Sequence, residues 1–210
     1  VFKAHKERKA AEAQASALAA WQSERDGYAA LVETARNYQG ETSSALLLHA
    51  GEVQFASVTN CALVEERKGP GTWQGQSHGV SIPVVAGVRY RVGATKGHFV
   101  AGEQHPSAID HGEMVITNVR VCFLGSAQTR ECDFAKLLGF SHGEGFTTFS
   151  VSNRQKPTTV YYGPKAAEWV HFRLDLALAH FRGDVADFVG AMEAQLATLD
   201  AGRPTSPAAP

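Results

Sequence analysis

Cysteine is scarce in this sequence. Its 210 residues include three, Cys61, Cys122 and Cys132, too few and too scattered for the disulfide framework of a small secreted domain or for a four-thiolate zinc knot. Reduced, buried thiols are expected. Long apolar runs are also missing. None approaches the roughly 18 consecutive residues of a membrane span, and the start has no apolar segment like that of a secretory signal. The expectation is a soluble, cytoplasmic protein with no transmembrane segment. Nor does one sign of charge dominate. Lys and Arg total 20 against 21 Asp and Glu, for a formal net charge of -1, which argues against a surface built throughout for nucleic acid. With 44% apolar and 20% charged residues, the composition is that of a chain that folds rather than one that stays disordered.

Proline is absent before Pro70. Residues 3–36, rich in Ala, Glu, Lys, Arg and Gln, read as one helix. Leu18, Trp21, Tyr28 and Val32 fall near one stripe that Arg25 interrupts, a face fit to dock on a core. Lys3, Lys6, Arg8 and Lys9 read as a solvated basic face. From Gly51 to about residue 162, short runs of Val, Ile, Phe, Thr and Tyr are broken by Gly, Pro, Asn and Asp, which is strand punctuation. Residues 88–92 alternate strictly, with Val88, Tyr90 and Val92 on one face and Arg89 and Arg91 on the other. In GEMVITNVRVCFLG two apolar runs flank Thr117 and Asn118, and Asn tolerates the left-handed backbone of a tight hairpin. Further strands are expected at 52–57, 62–66, 130–137, 146–151 and 158–162. So many short strands predict an antiparallel barrel or sandwich, which hides its edges.

After Gly163 and Pro164 the helical pattern returns. AEWVHFRLDLALAHF carries apolar residues on more than one stripe, the mark of a helix wedged between two surfaces. Gly183 is placed to stop it, and Asp184 to cap the next helix with its side chain. That last helix presents Val185, Phe188, Val189, Met192, Leu196 and Leu199 on one face. The tail AGRPTSPAAP has nothing to bury and is expected to be disordered.

The segment GEMVITNVRVCFLGSAQTRECDFAKLLGF resembles the central hairpin and following strand of bacterial PH-like and GRAM-type domains. In those a T-N-x-R turn precedes a strand that ends in an aromatic. Thr117, Asn118, Arg120 and Phe123 stand at those places. The wider run, from GEVQFASVTNCALVEERKGPGTWQGQSHGVSIPV to FTTFSVSNRQKPTTVYYG, is similar to a group of uncharacterised actinobacterial proteins of that kind. The resemblance covers residues 50–163. It implies a seven-stranded, strongly bent antiparallel barrel closed at one end by a C-terminal helix. It also implies a binding module for lipid headgroups, peptides or proteins, with no catalytic residues to carry over.

One further absence bears on a site. No Asp or Glu occurs from Arg67 to Gly102, while Arg67, Lys68, Arg89, Arg91 and Lys96 are present, with Trp73 in the glycine-rich GPGTWQG. If that loop and the strand at Arg89 and Arg91 share a rim, the cations can receive acidic headgroups through charge-assisted bonds and Trp73 can anchor at an interface. Against this stands the plain reading of strand arginines and one loop tryptophan as ordinary surface. His98, His105, Asp110 and His111 are zinc-binding types, yet no spacing enforces convergence on an ion, and their stretch reads more simply as a loop. The chain lacks the alternating strand and helix plan that displays a nucleophile elbow, and no phosphate loop ending in Lys-Ser or Lys-Thr occurs. A hairpin centred on Ala127 sets Cys122 opposite Cys132, within reach of a bridge, but a reducing cytoplasm favours two thiols. Arg154 and Lys156, in SNRQKP, read as solvated turn residues.

The sequence thus predicts an α+β chain: an N-terminal helical extension over 1–40, a PH-like β domain with its capping helix over 50–182, an amphipathic helix over 184–200 and a disordered tail over 201–210. The expected function is non-enzymatic binding of an acidic lipid surface or a protein partner through a basic rim of Arg67, Lys68, Trp73, Arg89, Arg91 and Lys96. No cofactor, metal or nucleic acid is expected. The alternative is an assembly protein that forms homo-oligomers through its terminal helices.

Overall fold

The computed structural model describes the backbone of residues 2–42, 46–68, 72–85, 88–100 and 104–205, and the side chains of 5, 8–42, 46–67 and 106–205. A 36-residue helix, α1 (Phe2–Asn37), precedes nine strands. These are β1 (Gln54–Lys68), β2 (Thr72–Val85), β3 (Val88–Val100), β4 (Gln104–Thr117), β5 (Arg120–Gly125), β6 (Thr129–Asp133), β7 (Leu137–Gly143), β8 (Phe146–Val151) and β9 (Thr158–Tyr161). Helices α2 (Ala167–Arg182) and α3 (Val185–Ala201) follow. No helix among the described residues is long and apolar enough to cross a membrane.

Seven strands form one antiparallel sheet in the order β6-β5-β4-β1-β9-β8-β7. Two meanders, β4-β5-β6 and β7-β8-β9, flank the long β1. The sheet is open, with β6 and β7 at its two ends, so the closed barrel that the resemblance implies is not formed. A 3-10 turn, Phe134–Lys136, joins β6 to β7, and the Asp133 carboxylate caps it by accepting from the Ala135 amide at 2.9 Å. The apolar face is sealed by α2 instead of by strand pairing. Val170, Phe172, Leu174, Leu176, Ala177, Leu178 and Ala179 are all buried there, so α2 is apolar on more than one stripe, as its sequence requires. Burying a side chain such as Leu176 contributes on the order of 2 kcal/mol.

Gly183 ends α2 in the left-handed conformation, φ 77°, and the Asp184 amide donates back to the Ala179 carbonyl at 3.1 Å. Asp184 stands at the N-cap of α3, but its side chain makes no capping bond, contrary to expectation. The C-terminal half of α1 lies antiparallel against α3. Trp21 Nε1 donates to the Leu199 carbonyl at 2.8 Å, Arg25 pairs with Asp200 at 3.0 Å, and Arg36 pairs with Glu193 further back along α3. Val32 and Ala35 join the core. In the tail, the Arg203 guanidinium sits 5.6 Å from the Trp21 ring centre. Residues 206–210 lie outside the described residues.

Three strand expectations need correction. Segments 52–57 and 62–66 are one strand, because Thr59 and Asn60, which read as punctuation, form a bulge: Asn60 takes φ 58° and the register with β4 shifts between Val58 and Cys61. Segment 130–137 is strand only as far as Asp133, where the 3-10 turn takes over, and β7, beginning at Leu137, is a strand where none was expected. The backbone at Trp73 and the stretch from 104 onward are strand rather than loop.

Candidate functional site

Beyond the sheet, β1 and β4 continue as a two-stranded ribbon. The last β1 residue paired to β9 is Val64, and the first β4 residue paired to β5 is Gly112. Farther out, Lys68 pairs with Gln104, and Thr72 with Val100. β2 and β3 form a two-stranded sheet of their own, paired from Thr72 opposite Val100 to Val85 opposite Val88 with a register shift between Pro83 and Val85. At about 3.3 Å per residue, β2 alone spans roughly 45 Å.

The candidate cations lie along this ribbon. Arg67, opposite His105, is exposed at its base. Lys68, Trp73, Arg89, Arg91 and Lys96 are placed by backbone alone, their side chains falling outside the described residues. Trp73 is opposite Phe99, Lys96 opposite Gln76, Arg91 opposite Ser81 and Arg89 opposite Pro83. Within the β2–β3 pair, position 73 lies toward one end and positions 89 and 91 toward the other. Alternation of the paired backbone puts positions 73, 89 and 91 on one face and 96 on the other.

The T-N-x-R residues form a clamp. Arg120 donates to Glu52 from Nε to Oε1 at 2.8 Å and from Nη2 to Oε2 at 3.0 Å, and Nη2 also donates to the Leu47 carbonyl at 2.9 Å. Thr117 Oγ1 donates to Glu52 Oε1 at 2.8 Å, and the His49 amide donates to Glu52 Oε2 at 2.7 Å. Asn118 accepts from the Val53 amide at 2.9 Å and donates to the Gly51 carbonyl at 3.2 Å. Burial alone would raise the Glu52 pKa, but the bonds from Arg120, His49 and Thr117 outweigh it and hold the carboxyl below its ordinary value. Through these bonds the motif fixes the segment before β1 to the β4–β5 turn.

In the histidine-rich stretch, Asp110 is committed in the same way. Asp110 accepts from the amides of Ala127 and Gln128 at 2.9 and 2.6 Å and from Ser126 Oγ at 2.9 Å. The Ala127 amide foremost, then Ser126, Gln128 and His111, overcome desolvation and hold its pKa down to about 2. Asp110 is thus the tie of the β5–β6 turn. His111 is exposed, and the side chains of His98 and His105 lie outside the described residues.

A different polar cluster sits where β7, β8 and α2 meet. His142 Nδ1 is 2.9 Å from Thr147 Oγ1, which bonds the Tyr162 hydroxyl at 2.8 Å. The His142 ring stacks on His171 with centroids 3.9 Å apart and planes at 24°, and Asp175 Oδ1 lies 3.6 Å from His142 Nε2. Stacked rings send their nitrogens along near-parallel lines, so they do not converge on one ion. Among the described residues no group of three or more His, Cys, Asp or Glu is arranged to hold a metal. Sequence reasoning missed this cluster, since its members are brought together only by the sheet and helix packing.

The cysteines are free and buried. Cys122 pairs with Glu131 and Cys132 with Val121, one residue away from the expected register, so the two thiols lie on opposite faces of the sheet and no bridge forms between them. Burial pushes Cys61 up to about 11 and Cys122 up to about 12, which leaves little thiolate at neutral pH.

No protein-family model, no curated protein and no solved structure matches the chain.

Proposed function

We propose that this chain is a non-enzymatic, PH-like or GRAM-like binding module that docks on an acidic lipid surface through its cationic ribbon. The carrying observation is the ribbon itself. Its β1–β4 part keeps one register from Val64 to Lys68 and its β2–β3 part from Thr72 to Pro83, within a stretch that has Arg67, Lys68, Arg89, Arg91 and Lys96 and no acid from Arg67 to Gly102. Two further observations support the reading. The seven-stranded antiparallel sheet followed by a helix that seals one face shares its strand count and trailing helix with the plan the sequence resemblance implies, although the sheet stays open. The outer end of the ribbon is apolar in sequence, with Val80, Ile82, Val84, Val85 and Val88 next to Arg89 and Arg91. Such an end enters the headgroup boundary while the arginines meet phosphate, each cation contributing about 1 kcal/mol near an anionic surface.

The module would act at the periphery of a membrane. Self-association through the terminal helices is less well supported, because α3 and the C-terminal half of α1 turn toward each other within the chain. The test is co-sedimentation of the full chain with phosphatidylglycerol-containing vesicles and with pure phosphatidylcholine vesicles at rising salt. Binding to the first alone, weakening as salt rises, is expected. Equal binding to both, or to neither, would overturn the lipid reading, and in the second case the ribbon's charge would be assigned to an acidic protein partner.

A further inference from the structure

The outer half of the β2–β3 pair has two unlike faces. Val80 pairs with Val92 and Ile82 with Tyr90, so alternation puts those four positions on one face. Ser81 pairs with Arg91 and Pro83 with Arg89, which puts both arginines on the other. Toward the base, the first face continues with His78 opposite Ala94 and Gln76 opposite Lys96, and its apolar patch ends there. The second face continues through Ser77 opposite Thr95. The pair is thus amphipathic across its thickness.

Because β2 and β3 form a sheet of only two strands, and such a ribbon is marginal in water by itself, covering its apolar face would stabilise it. The size of the patch argues against a second copy as the cover. Three aliphatic side chains at roughly 100 Å² each and a tyrosine at roughly 200 Å² offer on the order of 500 Å², less than the ~800 Å² that each partner buries in a stable protein interface. A bilayer sets no such threshold, since interfacial attachment grows with whatever apolar area enters and with the attraction of cations to anionic lipid. No Asp or Glu from Arg67 to Gly102 opposes that attraction.

We infer that the outer half of this pair lies in the plane of an acidic bilayer's interface, with the face of positions 80, 82, 90 and 92 toward the acyl chains and the face of Arg89 and Arg91 toward the phosphates. The inference rests on the lipid reading above and gives it an orientation. An amphipathic element in that plane buries its apolar face ~5–10 Å into the boundary between headgroups and chains. Cations on the opposite face then stand at the level of the phosphates, where charge-assisted bonds form. Insertion end-on would instead immerse both faces alike.

The experiment attaches a polarity-sensitive fluorophore to single introduced thiols in the full chain: Val80→Cys, Ile82→Cys, Tyr90→Cys and Val92→Cys on one face, Ser77→Cys, Ser81→Cys and Thr95→Cys on the other. The native thiols are buried, so labelling is confined to the introduced one. The pair stands outside the seven-stranded sheet, so the variants are expected to keep the wild-type unfolding curve. On phosphatidylglycerol-containing vesicles that carry an acyl-chain nitroxide lipid, emission should shift to the blue and be quenched at 80, 82, 90 and 92. It should stay polar and unquenched at 77, 81 and 95. Without labels, Val80→Ser/Ile82→Ser should weaken partitioning at least about tenfold, while Ser77→Ala/Ser81→Ala should partition as the wild type does. If the wild type sediments with no vesicle, the lipid reading itself falls and the orientation with it. If it binds but neighbouring positions are quenched alike, or the pattern is reversed, the orientation alone is overturned. It is overturned too if positions 80, 82, 90 and 92 become shielded without vesicles as protein concentration rises, which would assign the face to a second copy.

Discussion

Arg120 and Glu52, 68 residues apart, face each other through two charge-assisted hydrogen bonds of 2.8 and 3.0 Å, with 9% and 0% of their side chains exposed. Removing one partner leaves the other buried without its counter-charge, which costs about 3–5 kcal/mol. Arg120→Met should therefore lower the free energy of unfolding by that amount in urea titrations. Replacing both, as Glu52→Leu with Arg120→Met, should recover part of the loss.

Asp110 gives the chain an acid dependence of definite sign. Its carboxyl is held from an ordinary 3.8 down to about 2 by the Ala127 amide and its neighbours, so the folded state binds its proton more weakly than the unfolded chain does. The stabilisation is complete above pH of about 4 and is lost as pH falls toward 2. Asp110→Asn should make stability flatter across that window, measured as the urea midpoint against pH.

The buried imidazoles act nearer neutrality. Burial first, then the proximity of His142, lowers the pKa of His171, and burial lowers that of His180. A histidine whose folded pKa lies below its unfolded value stabilises the fold above the unfolded value of about 6.5 and loses that contribution as pH falls below it. Thermal midpoints should accordingly drop on going from pH 7.5 to 5.5, and His171→Phe should reduce the drop. An unchanged slope in the variant would assign the effect to other groups.

Thiol chemistry should be silent in the native state. With Cys61 at about 11 and Cys122 at about 12 and Cys132 also buried, Ellman's reagent should modify the chain only as fast as it unfolds. All three thiols should react at once in denaturant.

Much of this fold is legible in the sequence where a period runs long or a turn is explicit. Helix α2 shows its double burial in the density of apolar residues from Trp169 to Phe181, and the Thr117–Asn118 hairpin was legible too, although Asn118 does not take the left-handed backbone expected of it and acts through its side-chain amide instead. The ribbon is obscured by glycine. Gly75 lies opposite Gly97 and Gly79 opposite Gly93, so residues that weaken the strand signal one at a time are matched in pairs that only the register reveals. Strand β7 is hidden for a similar reason, since LLGFSHG lacks alternation and carries two glycines. The Arg120 motif was legible as a turn but not as a clamp, because its counter-charge comes from the segment before β1. An antiparallel sheet was legible as well. That it would stay open was not, because pairing between its end strands β6 and β7 depends on long-range packing that no local pattern encodes.

The central claim concerns the outer half of the ribbon, and its most direct measurement is the partition coefficient of the wild type and of Arg89→Glu/Arg91→Glu on phosphatidylglycerol vesicles. Each reversal removes one attraction of about 1 kcal/mol and adds a repulsion, so the double variant should bind at least tenfold more weakly while its unfolding curve stays the same. Equal partitioning of the two proteins would contradict the account.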